Sequence, residues 1–245
     1  MATEIKHLPS QAELSVSPPS LIQLLETGDR LTRHEFEARY HAMPDVKKAE
    51  LIEGIVYMPS PTRFKSHAKP HALMMGLLFA YASQTPGVEI ADNASVRLDP
   101  DNEVQPDALL FLSSDFGGRV KISQDDYLEG APELILEVAA SSVSYDLHDK
   151  IKIYRRNQVF EYVIWRVLDQ AIDWFILENE VYQPLPNDNG MFRSRQFPGL
   201  WIDAQNLLAG NAAQALDVLN RGLASDEHRA LVETRTSKSP ATPPK

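Results

Sequence analysis

Three charged residues stand where charge is costly. Glu137 lies inside Leu134-Ile-Leu-Glu-Val-Ala-Ala140, where every neighbour is apolar. Burying an ionised carboxylate there costs several kcal/mol unless it is paired or bound to metal. The residue therefore needs a cation, or a strand end that reaches solvent. Asp107 follows Pro106 at the mouth of Ala108-Leu-Leu-Phe-Leu112. It either joins a charged site or caps the amides of a turn. Lys150 falls between Leu147, Ile151 and Tyr154, residues spaced as one helical stripe, while His148, Lys152, Arg155 and Arg156 take the other side. An inward lysine needs an anionic partner; the alternative is a lysine snorkelling past the stripe's edge. Two strand carboxylates and one inward lysine together suit metal-assisted hydrolysis of a phosphodiester. Asp107 and Glu137 would hold a hard cation, Mg²⁺ or equally Mn²⁺. The cation acidifies a bound water and neutralises phosphate charge, and the ammonium orients the nucleophile or stabilises the transition state.

The elements that must carry these residues are legible from pattern. Thr32, with Glu35 three residues on, forms a capping box for a helix to about Tyr40. Glu50-Leu-Ile-Glu-Gly-Ile-Val-Tyr-Met58 reads as a hairpin turning at Glu53-Gly54. Pro70 suits the first turn of a helix ending near Pro86-Gly87. Val88–Ile90 and Ser95–Leu98 are short strands, and the runs at 108–112 and 134–140 suit interior strands. A helix over 146–157, a strand over 160–165, a hairpin around Glu178-Asn-Glu180 and a helix through Leu216, Leu219 and Leu223 complete the order. Strands mixed with helices in this order predict an α/β or α+β fold with a mixed central sheet. Residues 1–20, rich in Pro and Ser, read as a flexible arm; 21–223 as a single domain; and 224–245 as a disordered tail.

Composition narrows the function classes. Among 245 residues there is no cysteine, which excludes disulfide frameworks, thiolate zinc sites and cysteine nucleophiles. No apolar run approaches the ~20 residues of a membrane span, and the N-terminus lacks a secretory pattern, so a cytoplasmic protein without membrane association is expected. The net charge of −10 argues against an avid, sequence-independent DNA binder, though not against an enzyme that meets nucleic acid at one patch.

Seven stretches in order resemble the Uma-two restriction endonucleases, a branch of the PD-(D/E)XK nuclease superfamily. They are Leu31-Thr-Arg-His-Glu-Phe36; Glu50-Leu-Ile-Glu-Gly54 with Met58-Pro-Ser-Pro61; Val96-Arg-Leu-Asp99; Gln105-Pro-Asp-Ala108; Pro132-Glu-Leu-Ile-Leu-Glu-Val138; Tyr145-Asp-Leu-His-Asp-Lys150 with Tyr154; and Glu161-Tyr-Val-Ile-Trp165. The resemblance implies a restriction-endonuclease-like mixed β-sheet flanked by helices, with the site at the sheet's edge. It makes Asp107 the motif aspartate and Glu137 the second acid. The superfamily's lysine slot two residues after Glu137 holds Ala139. The family resembles one in which that lysine has moved to the next helix, where Lys150 stands. Glu50 resembles a further acidic member, although a glutamate at a strand start is often only solvated.

Arg63, Lys65 and Lys69, and separately Arg155 and Arg156, are candidate phosphate contacts. His67 and His71 have a helical metal spacing, but Pro70 lies between them and sets the expected helix start, leaving His67 outside it. Two readings follow. One is a metal-dependent endonuclease acting on nucleic acid, DNA foremost, as a homodimer because two sites about a two-fold axis cut both strands of a duplex. The other is a non-catalytic nucleic-acid- or protein-binding module on the same fold. A two-carboxylate glycosidase leaves the inward lysine without a task.

Overall fold

In the computed structural model the described residues are 23–59, 62–140 and 146–237. The expected arm over 1–20, the Ser141-Ser142 pair, Tyr145 and the last residues of the chain lie outside them. Among the described residues fifteen strands, numbered in chain order, form three sheets. The central sheet takes β3 (Val88–Asp92), β6 (Ala108–Leu112), β9 (Leu134–Ala139), β10 (Glu161–Arg166), β11 (Ala171–Glu178) and β12 (Val181–Pro184). Its strand order is β12-β11-β10-β9-β6-β3. Only β9 and β10 run parallel in it; the other pairs are antiparallel.

The second sheet combines β1 (Glu50–Ile52), β2 (Ile55–Tyr57), β4 (Val96–Asp99), β5 (Asn102–Val104), β7 (Lys121–Ile122) and β8 (Leu128–Glu129). A third holds β13 (Asn187–Asp188), β14 (Met191–Arg193) and β15 (Trp201–Asp203). The described α-helices are α1 (Arg33–His41), α2 (Lys69–Ala82), α3 (Ile151–Arg156), α4 (Ala204–Leu208), α5 (Ala212–Leu223) and α6 (Asp226–Thr236). The mixed α/β class read from the sequence is thus the observed one. None of these helices is long and apolar enough to cross a membrane.

Side chains alternate along a strand, so β9 feeds two cores. Leu134, Leu136 and Val138 pack on one face with Met74, Leu78 and Tyr81 of α2 and Leu219 of α5. Ile135 and Ala139 face the other way, toward Ile52, Val104, Ile153 and Tyr154. Glu137 shares the parity of the second set. It is therefore turned toward the helix that follows β9.

Local signals explain most element ends. Thr32 and Glu35 make the reciprocal capping box of α1. The β1–β2 turn holds Glu53 at φ 49° and Gly54 at φ 73°, the left-handed pair that a tight hairpin with the native strand twist requires. Two expectations fail. Helical structure starts before Pro70, because a π turn over Phe64–Ala68 runs directly into α2. Proline costs no hydrogen bond at a helix start, and the Lys69 amide bonds to the Phe64 carbonyl within the wider turn. The disordered tail expected from Ala224 is instead helical over Asp226–Thr236. Ser225 caps α6, and the buried His228 lies 2.9 Å from the Leu223 carbonyl and 3.0 Å from Thr85 Oγ1. That docking, rather than an apolar stripe, holds the segment.

Candidate active site

Antiparallel register places the two acids together. Ala108 pairs with Leu136 and Leu109 with Ile135, so Asp107 stands one step beyond, level with Glu137. The Val138 amide closes that step, donating to Asp107 Oδ2 at 2.8 Å. On the other side β3 ends opposite Ala108, and the Asn93 amide, 3.4 Å away, donates to the Asp107 carbonyl. Pro106 has no N–H to extend this ladder, and here the aspartate side chain continues the bonding.

Glu50, at the start of β1, reaches the same place from the second sheet. Its Oε1 accepts the Gln105 amide at 2.8 Å and Lys150 Nζ at 2.9 Å. Lys150, at the end of a π turn over Asp146–Lys150, also donates to Glu137 Oε1 at 2.7 Å. Tyr154, one helical turn on, donates to that oxygen at 2.9 Å. Asp107, Glu137, Lys150 and Glu50 are all buried, with 2–4% of each residue exposed. The structure thus brings all four together.

Lys48, His67 and His71 complete the cluster; the sequence left a minor site-facing role open for the two histidines and did not mark Lys48. Lys48 Nζ donates to Asp107 Oδ1 at 3.1 Å and to Asn93 Oδ1 at 3.2 Å. His67 Nε2 is 3.1 Å from Asp107 Oδ2, and His71 Nε2 is 2.8 Å from the Asp107 carbonyl. A carboxylate and a carbonyl only accept, so each Nε2 carries the proton. His71 also lies 3.2 Å from Asp92 Oδ1. One signal for Lys48 was available: it stands two residues before Glu50, a spacing that shares a face in extended chain. For His67, reading Pro70 as the helix start concealed the π turn.

The electrostatics follow from this packing. Burial works against the Lys48 ammonium, but the carboxylates of Glu50, Asp107 and Glu137 outweigh it and raise its pKa. Burial likewise tends to raise Asp107, yet the His67 hydrogen bond, the Lys48 charge and the Val138 amide hold it well below the usual carboxylate range. The three carboxylates of Asp107, Glu50 and Glu137 outnumber the two lysines, Lys48 and Lys150, set against them. The donor set is hard oxygen, and its residual negative charge suits a small divalent cation. Among the described residues no three His, Asp or Glu side chains group closely enough to hold a metal by themselves. A cation at Asp107 and Glu137 would therefore draw its other ligands from water and a phosphate, the habitual coordination of Mg²⁺.

A family model matches most of the chain. Residues 34–205 match the Uma2 (Uma-two) model, described as "Putative restriction endonuclease". The chain belongs to the Uma2 family. Among solved structures, a "putative nuclease belonging to DUF820" from Anabaena variabilis ATCC 29413 superposes with a TM-score of 0.54. It is 12% identical, and the match covers 70% of this chain and 96% of that one, a likeness of fold. No curated protein matches the chain. Uma2 membership supports a nuclease function and leaves its cation and its substrate to be argued.

The candidate phosphate contacts fall into two environments. Arg63, Lys65 and Lys69 are exposed on and beside the Phe64–Ala68 turn that carries His67. Arg155 is exposed on α3, whereas Arg156 is engaged by Glu53 at 3.1 Å and Asp99 at 3.3 Å. Two surface hollows of about 450 and 300 Å³ lie along the β11–β12 hairpin and beside Arg156, and neither is lined by the cluster residues. The perturbed charges mark the site.

Proposed function

We propose that this protein is an endonuclease that hydrolyses phosphodiester bonds of DNA, with Asp107 and Glu137 as the protein ligands of Mg²⁺ or Mn²⁺. The observation that carries the reading is the Lys150 ammonium held between Glu50 and Glu137 beside a strongly ionised Asp107. A bound cation would supply an acidified water and charge neutralisation at the phosphate. Lys150, fixed by two carboxylates and backed by Tyr154, orients the nucleophile and meets the charge that develops on the phosphoryl oxygens. Lys48 stays protonated at neutral pH and presents a second positive group to the scissile phosphate. His67 and His71 fix the Asp107 carboxylate and its backbone from opposite ends. The restriction-endonuclease description of the family supports DNA as the substrate. A two-fold dimer is part of the proposal, since it sets one site against each strand.

A second reading is a non-catalytic binding module in which the same residues form a structural ion cluster. The pairing of the carboxylates with lysines and the net charge of −10 favour it. Titration of Mn²⁺ into wild type and Asp107→Ala by calorimetry, with plasmid cleavage in Mg²⁺, separates the two. Expected are saturable binding and cleavage by wild type, both lost in a variant that keeps its circular dichroism spectrum. An Asp107→Ala protein that cuts as fast as wild type would sink the nuclease site as drawn.

A further inference from the structure

The turn over Phe64–Ala68 holds an aromatic side chain that the fold leaves in solvent. Phe64 is 70% exposed, the most exposed of the described large apolar side chains. A single exposed phenylalanine is ordinary on a protein surface. Its surroundings are not. Residues 54–88 contain no Asp or Glu, in a chain with 34 acids. Arg63, Lys65 and Lys69 are exposed, and none makes an ion pair among the described residues. The same turn ends on the histidine side whose Nε2 lies 3.1 Å from Asp107. π turns occur mostly as single-turn widenings of α-helices, frequently at functional sites. Here one sets an apolar ring and uncompensated cations three residues from a group touching the motif aspartate.

We propose that this turn grips a single-stranded segment of the substrate, with Phe64 stacking on an unpaired nucleobase while Arg63, Lys65 and Lys69 follow the phosphates. Aromatic stacking beside a cationic track is the general chemistry of single-strand binding, because each base offers a π face and each linkage a charge. An intact duplex offers no free face without unstacking. The inference rests on the nuclease reading and names the strand state that the site admits.

The test uses the full chain in EDTA, so that nothing is cut, with an oligonucleotide carrying 2-aminopurine as a single strand and in duplex. Wild type is expected to quench the single strand, and not the duplex, in a saturable titration. Phe64→Ala should lose the quench and about tenfold in affinity, and Phe64→Trp should restore both. Lys65→Ala with Lys69→Ala should weaken binding and flatten its salt dependence while the quench at saturation remains. A Phe64→Ala protein that quenches and binds like wild type overturns the stacking role and leaves the nuclease reading intact. Equal quenching in the duplex overturns the single-strand assignment. A wild type that binds neither strand form, and cuts no nucleic acid in Mg²⁺, overturns the nuclease reading itself.

Discussion

Glu137 on β9 and Glu161 on β10 belong to a parallel pair in the central sheet, and both are buried. Their surroundings differ in kind. Glu161 Oε1 accepts the amides of Arg195 and Gln196 at 2.7 and 2.9 Å, and Oε2 accepts Ser194 Oγ and Trp174 Nε1 at 2.7 and 3.2 Å. Four neutral, fixed donors close it, and burial still pushes its pKa up. Glu137 instead shares an ammonium with Glu50. A backbone amide cannot leave its acceptor without unfolding something, whereas a lysine can exchange one oxygen for another. Glu161 fastens the 194–197 loop to the sheet; Glu137 is built to trade partners.

The largest expected effect tests that contrast directly. Glu161→Ala strands buried donors, so it should cost about 3 kcal/mol or more and lower Tm by about 6–12 °C, with cleavage per folded molecule unchanged. Glu137→Gln should lose at least ~100-fold in cleavage. It should melt closer to wild type, because Lys150 keeps Glu50. Calorimetric melting beside a cleavage assay reads both. If the two variants melt alike and neither loses cleavage, the distinction fails.

A third buried acid sharpens the comparison. Glu103, 1% exposed, has neither carboxylate oxygen hydrogen-bonded, and Arg97 is 4.0 Å away. Burial first, then Glu37, pushes its pKa up to about 8. The folded form therefore holds a proton that the unfolded chain releases near 4.5. Its contribution is fully present below that value and is lost as pH rises through about 8. Glu103→Gln should accordingly raise Tm at pH 9 and change it much less at pH 4. An equal shift at both values would show that charge is not what burial penalises there.

The smallest effect concerns two lysines two residues apart. Lys152 meets Asp149 at 3.4 Å on the surface, so Lys152→Ala should stay within about 0.5 kcal/mol of wild type in urea melts. Lys150→Ala leaves Glu50 and Glu137 facing each other without their shared cation and should fall well outside that range. Two matching melts would mean that Lys150 does not balance the carboxylates.

Much of this was legible in the sequence because local rules governed it. The Thr32–Glu35 box, the Glu53-Gly54 turn and the apolar runs at 108–112 and 134–139 depend on near neighbours. Glu137 and Lys150 stood out because each breaks such a rule. Lys48, His67 and His71 were less legible because their partner, Asp107, lies 36–59 residues away in sequence, and local spacing does not say what they face. Glu161 shows the converse limit. In sequence it looks much like Glu137, a glutamate at an apolar strand, and only the donors arriving from residues 194–196 reveal it as a fastener.

The parallel pairing of β9 and β10 also has a bearing on synthesis. Parallel neighbours need a crossover, and here that crossover carries Lys150 and Tyr154 over Glu137. A nascent chain that has emerged only through β9 already contains Glu50, Asp107 and Glu137 but not the lysine between two of them. Of the two balancing lysines only Lys48 is then present, and the three carboxylates stay undercompensated until the crossover brings Lys150. The lysine of the proposed site thus arrives only with the crossover, and a product truncated or stalled after β9 lacks it.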